Sequence, residues 1–409
     1  MLGAVIFYAT LLTAGEVTQS DPAYQTALAA PATQHDELLT KAANAGSINA
    51  AARLINCNQA DRLETIDERL PEIMAWQKVS EPIMGMTGKQ IYGLLLYNRI
   101  SKSAKKLTKA ERDVGYLHAR GLIDSAPVGN PVMKYFHCNL WLMALSPEEV
   151  GNKTKGITLF KEAAQELASQ NGTQEPRVQL EWLGLLGSMH GWATVFGVQE
   201  MSDHVKAASE YQQAAAIAER LGLPERQGYM LHSQAMSSIP EKPKGEWAPA
   251  VALMAASAKA YGEAGLKGKQ AGSLEMQASF QKPNNRRKGD WAQVELLNTE
   301  AAKLRGEAGD VTGQAKTLYN MARSFTSDDH PQDNWPKTTK LFADTHKLFV
   351  QVGDKKMQGE CLHWQSISHT GWDATKKDEA SRSLARQAAV LLRETGNEGM
   401  ALEADNWAK

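Results

Sequence analysis

The stretch VELLNTEAAKLRGEAGDVTGQAKTLYNMARSF, residues 294–325, contains the pattern that decides the fold. On either side of Gly309, apolar and small residues recur every three or four positions, as they do on one face of an α-helix. A glycine just past a helix closes its last turn, because it adopts the left-handed conformation without steric cost. The stretch therefore predicts two helices joined at Gly309.

The same glycine punctuation recurs through the second half of the chain. The glycines concerned are Gly222, Gly265, Gly309, Gly353 and Gly396, at intervals of 43, 44, 44 and 43 residues. Nine residues after each of the first four stands a leucine, and four residues further on a small residue, which places both on one helical face. These pairs are Leu231 with Ala235, Leu274 with Ala278, Leu318 with Ala322, and Leu362 with Ser366. A helix that allows close approach of a neighbour is thus expected after each glycine.

The run before each glycine carries a second stripe, at fifteen, eleven and eight residues upstream. Its members are small at both ends and mostly bulky in the middle, which predicts a second packed helix face. Asn298 and Ala385 depart from the bulky rule. The stripes are Ala207, Tyr211, Ala214; Ala250, Met254, Ser257; Val294, Asn298, Ala301; Thr338, Phe342, Thr345; and Ser381, Ala385, Ala388.

This two-helix unit resembles the tetratricopeptide repeat family. Leu318, Met321, Ala322 and Phe325 match the packing positions of that family's first helix, and the stripes match its second. The unit is longer than the usual one of about 34 residues and lacks the family's closing proline. The resemblance implies an all-α fold, a right-handed α-solenoid of stacked helix-turn-helix repeats. We expect the array to span 131–409, after a helical N-terminal region, 1–130, that consists of degenerate repeats or other helices.

The resemblance also implies that first-helix residues outside the packing set line a concave groove that binds a partner peptide or helix. Such a groove would mix charges with aromatic anchors, although the same residues could be ordinary solvated positions. The family's chaperone-binding members use paired asparagines and basic residues on successive first helices. Here Asn320 alone stands at the corresponding asparagine position, so that role is not expected. The predicted groove residues are Tyr229, His232, Glu275, Lys316, Tyr319, Arg323 and His363.

Three loops between the paired helices each begin with a proline and end with a tryptophan: 240–247, 283–291 and 331–335. An Asp, Glu or Asn before each tryptophan is typical of a helix N-cap. Trp247, Trp291 and Trp335 are expected either to staple loop to helix or to form an edge that contacts a partner.

Composition narrows the function. The 409 residues carry a net charge of -1, which excludes general nucleic-acid binding by bulk charge. No dinucleotide fingerprint, metalloprotease motif or nucleophile elbow is present, so we expect a non-catalytic scaffold or adaptor without cofactor or metal. It would bind protein partners as a subunit of a larger assembly. The alternatives are an RNA-binding helical-repeat protein and an enzyme whose active site lies in 1–130.

Cysteine content and the N-terminal composition bear on localisation. The three cysteines, Cys57, Cys138 and Cys361, form no disulfide framework, which favours a reducing, intracellular compartment such as the cytoplasm or an organelle interior. Residues 1–14 are apolar, but no Lys or Arg precedes Lys41, which weakens the interpretation as a targeting segment. The sequence contains no run of 18 uncharged apolar residues, so a membrane-spanning helix is not expected.

Overall fold

The computed structural model describes residues 108–123, 150–170, 172, 176–194, 198–239, 247–282, 290–326, 335–371 and 373–409, with isolated positions between 23 and 45. These residues form α-helices and two short 3-10 turns, and no strand occurs among them. The helices are α1 Lys109–Ile123, α2 Val150–Gln170, α3 Pro176–Trp192, α4 His204–Arg220, α5 Pro224–Ser237, α6 Ala248–Glu263, α7 Lys267–Gln281, α8 Trp291–Glu307, α9 Val311–Phe325, α10 Trp335–Gln351, α11 Lys355–His369, α12 Glu379–Glu394 and α13 Glu398–Ala408. The prediction of an all-α fold is confirmed.

The chain divides into two compact units, Met1–Asp203 and His204–Lys409. In the first unit α2 contacts α3. Phe160, Ala163 and Leu180 are fully buried on these helices. The boundary predicted between residues 130 and 131 lies outside the described residues.

In the second unit each helix packs against the next one along the chain, from α4 through to α13. This sequential contact is the arrangement of a solenoid. Every predicted punctuating glycine has a positive φ, between 65° at Gly222 and 75° at Gly396. The short links thus turn α4 into α5, α6 into α7, α8 into α9, α10 into α11 and α12 into α13, and the predicted helix pairs are confirmed.

The repeating stripes form the core of this unit. All members of the second-helix stripes are buried except Asn298, which is half-buried and donates its amide Nδ2 to the Val294 carbonyl at 2.9 Å. The asparagine satisfies its own polar group within one turn, so it is tolerated where other units place a bulky side chain. Ala385, the other departure, is fully buried.

Small residues set the spacing between helices. A Cβ placed on Gly359 of α11 would lie 2.9 Å from Leu392 Cγ of α12, and one on Gly228 of α5 would lie 3.0 Å from the Tyr261 ring of α6. Only a residue without a side chain allows such an approach. The first helices are therefore held tightly against the second helices that follow them.

Aspartates start several of these helices. Asp290 accepts hydrogen bonds from the backbone N–H groups of Ala292 and Gln293 at the start of α8, which confirms a cap before Trp291. Asp310, Asp354 and Asp378 do the same for α9, α11 and α12. These carboxylates satisfy N–H groups that a helix leaves unpaired at its first turn. Within the described part of the chain, no helix is both long and apolar enough to cross a bilayer.

Candidate binding face

The first helices α5, α7, α9, α11 and α13 present the predicted groove residues at fixed places after each glycine. We define the groove face as the first-helix residues seven, ten, eleven and fourteen positions past the glycine. All seven predicted groove residues belong to it, because they share the repeat register. At or beside this face, side chains of successive first helices contact each other at three steps, from α7 through to α13, and the contact differs at each of them.

Between α9 and α11 the bridge is a tyrosine and a glutamate. The Tyr319 hydroxyl donates a hydrogen bond of 2.8 Å to Glu360 Oε2. The Tyr319 ring stands edge-on to Phe342, with 5.9 Å between centroids, so the side chain is half-buried rather than free. Burial and the adjacent Glu360 carboxylate raise the pKa of Tyr319, which keeps the hydroxyl protonated as a donor.

An arginine and a tryptophan make a second contact at the same step. The Arg323 guanidinium carbon lies 3.4 Å from the centroid of the Trp364 ring, a close cation–π stack. Arg323 is half-buried, and its Nη1 is buried without a hydrogen-bond acceptor. Burial lowers the pKa of Arg323, against the opposing effect of the nearby Tyr319 and Glu360. The loss of solvation on burial therefore outweighs the stabilisation of the charge by its neighbours.

Between α11 and α13 a histidine takes the place of the tyrosine. His363 is 2% exposed, and its Nε2 lies 3.6 Å from Glu403 Oε2. Its ring stands edge-on to Trp364, with 5.4 Å between centroids. Burial lowers the pKa of His363 and Arg323 lowers it further, whereas Glu403 opposes the shift. The imidazole is therefore neutral at pH 7. One of its ring nitrogens, Nδ1, is buried without a hydrogen bond.

Between α7 and α9 the groove residue Glu275 is taken by its own neighbours. Arg305 on α8 donates Nε to Glu275 Oε1 and Nη2 to Oε2, each at 2.8 Å, and Nη1 to Asp310 at 2.8 Å. The Thr317 hydroxyl of α9 also donates to Glu275. These charge-assisted bonds raise the pKa of Arg305, and the bond to Glu275 has the largest effect. Lys316, next to Thr317, is exposed.

Between α5 and α7 the corresponding positions hold His232 and Gly272. A Cβ on Gly272 would have no atom within 4 Å, so this step is open. His232 is half-buried, and burial lowers its pKa. Tyr229 is also half-buried, and Met236 is 41% exposed, which is high for a large apolar side chain. On the groove face this step offers an apolar surface instead of a bridge, although an ion pair joins α5 and α7 off that face.

The three tryptophans at the loop ends are half-buried. Trp247 packs on Phe280, with 5.4 Å between ring centroids, and Lys282 Nζ lies 5.7 Å from the Trp291 centroid. A Cβ on Gly371 would lie 3.3 Å from Trp335 Cδ1, so that ring is also close to its neighbour. The loop residues 240–246, 283–289 and 327–334 lie outside the described residues.

Five residues that shape this face were not predicted as site residues: Arg305, Thr317, Glu360, Trp364 and Glu403. Two of them were detectable by comparing the tenth residue past one glycine with the seventh past the next, which gives Tyr319 with Glu360 and His363 with Glu403. Arg305 and Thr317 lie off those positions and carry no such signal. Among the described residues, no group of three or more His, Cys, Asp or Glu side chains could hold a metal ion, and Cys361 is a free, buried thiol.

Comparisons with known proteins add a fold likeness alone. No protein-family model matches this chain, and no curated protein matches its sequence. A solved structure similar to it is a signal transduction ATPase with numerous domains (STAND) that has a tetratricopeptide repeat sensor, from Pyrococcus horikoshii. The two chains are 13% identical with a TM-score of 0.47, and the match covers 92% of this chain and 56% of that one. The chain thus spans about half the length of that protein.

Proposed function

We propose that this chain is a non-catalytic scaffold that binds a segment of a partner protein on the groove face, as a subunit of a larger assembly. The observation that carries the proposal is the series of side-chain contacts between successive first helices. Tyr319 with Glu360, and His363 with Glu403, join neighbouring units into one continuous surface. A surface already fixed by internal contacts loses little conformational entropy on binding.

The composition of this face suits a protein partner. It exposes Met236 and the polar side chains of Lys316 and Asn320, beside the half-buried rings of Tyr229 and Trp364. An apolar anchor with polar contacts around it is typical of protein interfaces. Stacked repeats bind extended segments or helices through such a face.

The charge pattern does not favour RNA as the partner. An RNA backbone requires cations that repeat along the face. At the seventh position past each glycine the chain holds, in order, Tyr229, Gly272, Lys316, Glu360 and Glu403. Two carboxylates in this column would repel a phosphate backbone.

Site-specific photocross-linking in native extract tests the proposal. A benzophenone side chain replaces Asn320, which is exposed on the groove face, and in a control it replaces Lys303, which is 66% exposed on the second helix α8. We expect adducts from position 320 that protease destroys and ribonuclease leaves intact, with few from position 303. Equal labelling at both positions would refute the groove face as the binding surface, and ribonuclease-sensitive adducts would favour RNA.

A further inference from the structure

Two cations on α9, Lys316 and Arg323, are left without carboxylate partners because the nearby acids are used elsewhere. In the part of the array that the structure describes, lysines commonly form ion pairs between units. Lys269 contacts Glu225 at 2.5 Å, Lys267 contacts Glu307 at 2.8 Å and Lys355 contacts Glu394 at 2.9 Å. Lys316 and Arg323 make no such pair, and this distinguishes them from the structural cations.

The repeat register would pair Lys316 with Glu275, as it pairs Glu360 with Tyr319 and Glu403 with His363. Glu275 instead accepts hydrogen bonds from Nε and Nη2 of Arg305 and from the Thr317 hydroxyl. A carboxylate that already accepts these bonds has little left to offer a further cation. Lys316 therefore remains exposed with its charge uncompensated.

The acidic residue near Arg323 is likewise bonded to another side chain. Glu360 accepts the hydrogen bond of Tyr319 at 2.8 Å, and no salt bridge joins it to Arg323. The guanidinium is stacked on Trp364 at 3.4 Å, which fixes its plane. A planar, immobilised guanidinium is preorganised to donate two parallel hydrogen bonds to a carboxylate.

We propose that Lys316 and Arg323 form a site that recognises acidic side chains. A segment of a partner protein would place its Asp or Glu carboxylates there. The inference rests on the proposed function and specifies the partner's chemistry. The two residues are seven positions apart on α9, hence about 10 Å along its axis. A segment in the polyproline II conformation rises about 3.1 Å per residue and returns to the same side every third residue, so two acidic residues separated by two others fit the pair.

The preference for a protein carboxylate over nucleic acid follows from the surroundings. Arg323 is flanked by Glu360, and the next unit adds Glu403, so the positive charge is confined to one unit. A short acidic segment needs no more than these two cations. A polyphosphate chain that continued along the face would meet the glutamates.

Selection from a displayed library of random twelve-residue peptides, with the full-length chain as bait, tests the site. We expect the selected peptides to contain two Asp or Glu residues separated by two positions, and their binding to weaken when salt is raised from about 0.1 to about 0.5 M. A synthetic peptide of the selected sequence then gives affinities by fluorescence anisotropy. Arg323→Gln is expected to lower its affinity at least about tenfold, and Lys316→Gln several-fold.

Two further variants separate recognition from packing. Arg323→Lys keeps the charge but loses the planar fork, so its affinity should fall nearly as far as that of Arg323→Gln. Lys303→Gln on α8 removes an exposed lysine away from the groove face and should leave affinity unchanged. Because Lys316 is exposed, Lys316→Gln should retain the melting temperature, so its lost affinity cannot be attributed to unfolding.

The outcomes distinguish this inference from the proposed function. Selected peptides that lack acidic residues, yet lose affinity when the groove face is altered, would overturn the acidic site and leave the scaffold role intact. If no peptide is selected, or if Lys303→Gln weakens binding as much as Lys316→Gln, both proposals fail. Binding of a ten-nucleotide single-stranded RNA that depends on Lys316 would replace the acidic segment with RNA.

Discussion

The step from α11 to α13 and the step from α5 to α7 occupy the same place in the repeat but differ in how the first helices meet. At α11–α13 the buried His363 contacts Glu403 of the next first helix, whereas at α5–α7 the equivalent register positions hold His232 and Gly272, which has no side chain. The buried stripes beneath are alike at both steps. The hydrophobic repeat thus fixes the stack, and the groove residues decide separately which steps are bridged and which stay open.

The largest expected effect comes from filling a closed contact. Gly359→Val on α11 forces a side chain into the Leu391 and Leu392 side chains of α12, so we expect the free energy of unfolding to fall by about 2 kcal/mol. Gly272→Val on α7 is the matched control, since a Cβ there meets nothing within 4 Å. Its effect should stay within about 0.5 kcal/mol. Urea denaturation followed by circular dichroism measures both, and equal losses would contradict the difference between the two helices.

A smaller loss is expected when the bridge from α7 to α9 is broken. Arg305→Met retains apolar bulk but removes the bonds to Glu275 and Asp310, which should cost about 1.5–2 kcal/mol of unfolding free energy. Lys303→Met, two residues earlier, removes an exposed cation 4.0 Å from Glu307 and should cost less than about 0.5 kcal/mol. Thermal melts of both variants make the comparison. If Arg305→Met has the same melting temperature as the wild type, the network around Glu275 does not stabilise the stacked helices.

Acidification tests the buried histidine at the bridged step. Burial lowers the pKa of His363 in the folded chain, whereas in the unfolded chain the histidine keeps its ordinary pKa of about 6.5. Below that pH the unfolded chain therefore binds the proton more readily than the folded chain does. Stability is therefore full above that pH and declines as pH falls towards the folded pKa. Glu403 on α13 opposes this shift, and Arg323 on α9 reinforces it.

His363→Leu removes the titrating group, so its melting temperature should fall less between about pH 7.5 and pH 5 than that of the wild type. His369→Leu is the control, because that ring is 38% exposed and bonds Asp378 at the surface. Parallel slopes for wild type and His363→Leu would show that other groups carry the acid sensitivity.

The sequence predicted most of the fold and part of the face. The glycine spacing and the small residues at Ala235, Ala278 and Ala322 define the helix pairs, because backbone conformation and close packing tolerate few alternatives. Pairings across units are partly visible, as for Tyr319 with Glu360. The capture of Glu275 by Arg305 was not predictable, because a long side chain can reach several acceptors and three-dimensional proximity decides among them.

The smallest effect would convert the open step into a bridged one. Gly272→Glu places a carboxylate at the register position that Glu360 and Glu403 occupy in later units, where the register predicts that it meets His232. Burial now lowers the pKa of His232, and an adjacent negative charge acts in the opposite direction, so the pKa of His232 should rise. Proton NMR titration of the His232 ring measures this, with Gly272→Gln as the uncharged control.

The change in unfolding free energy should remain below about 0.5 kcal/mol, because the new pair is partly solvated. An unchanged pKa of His232 in Gly272→Glu, or an equal rise in Gly272→Gln, would mean that the tenth and seventh positions of successive units do not face each other at this step. The register that relates Tyr319 to Glu360 and His363 to Glu403 would then be a local property of α9, α11 and α13. It could not be extended to α5 and α7, and the open apolar step would need a different explanation.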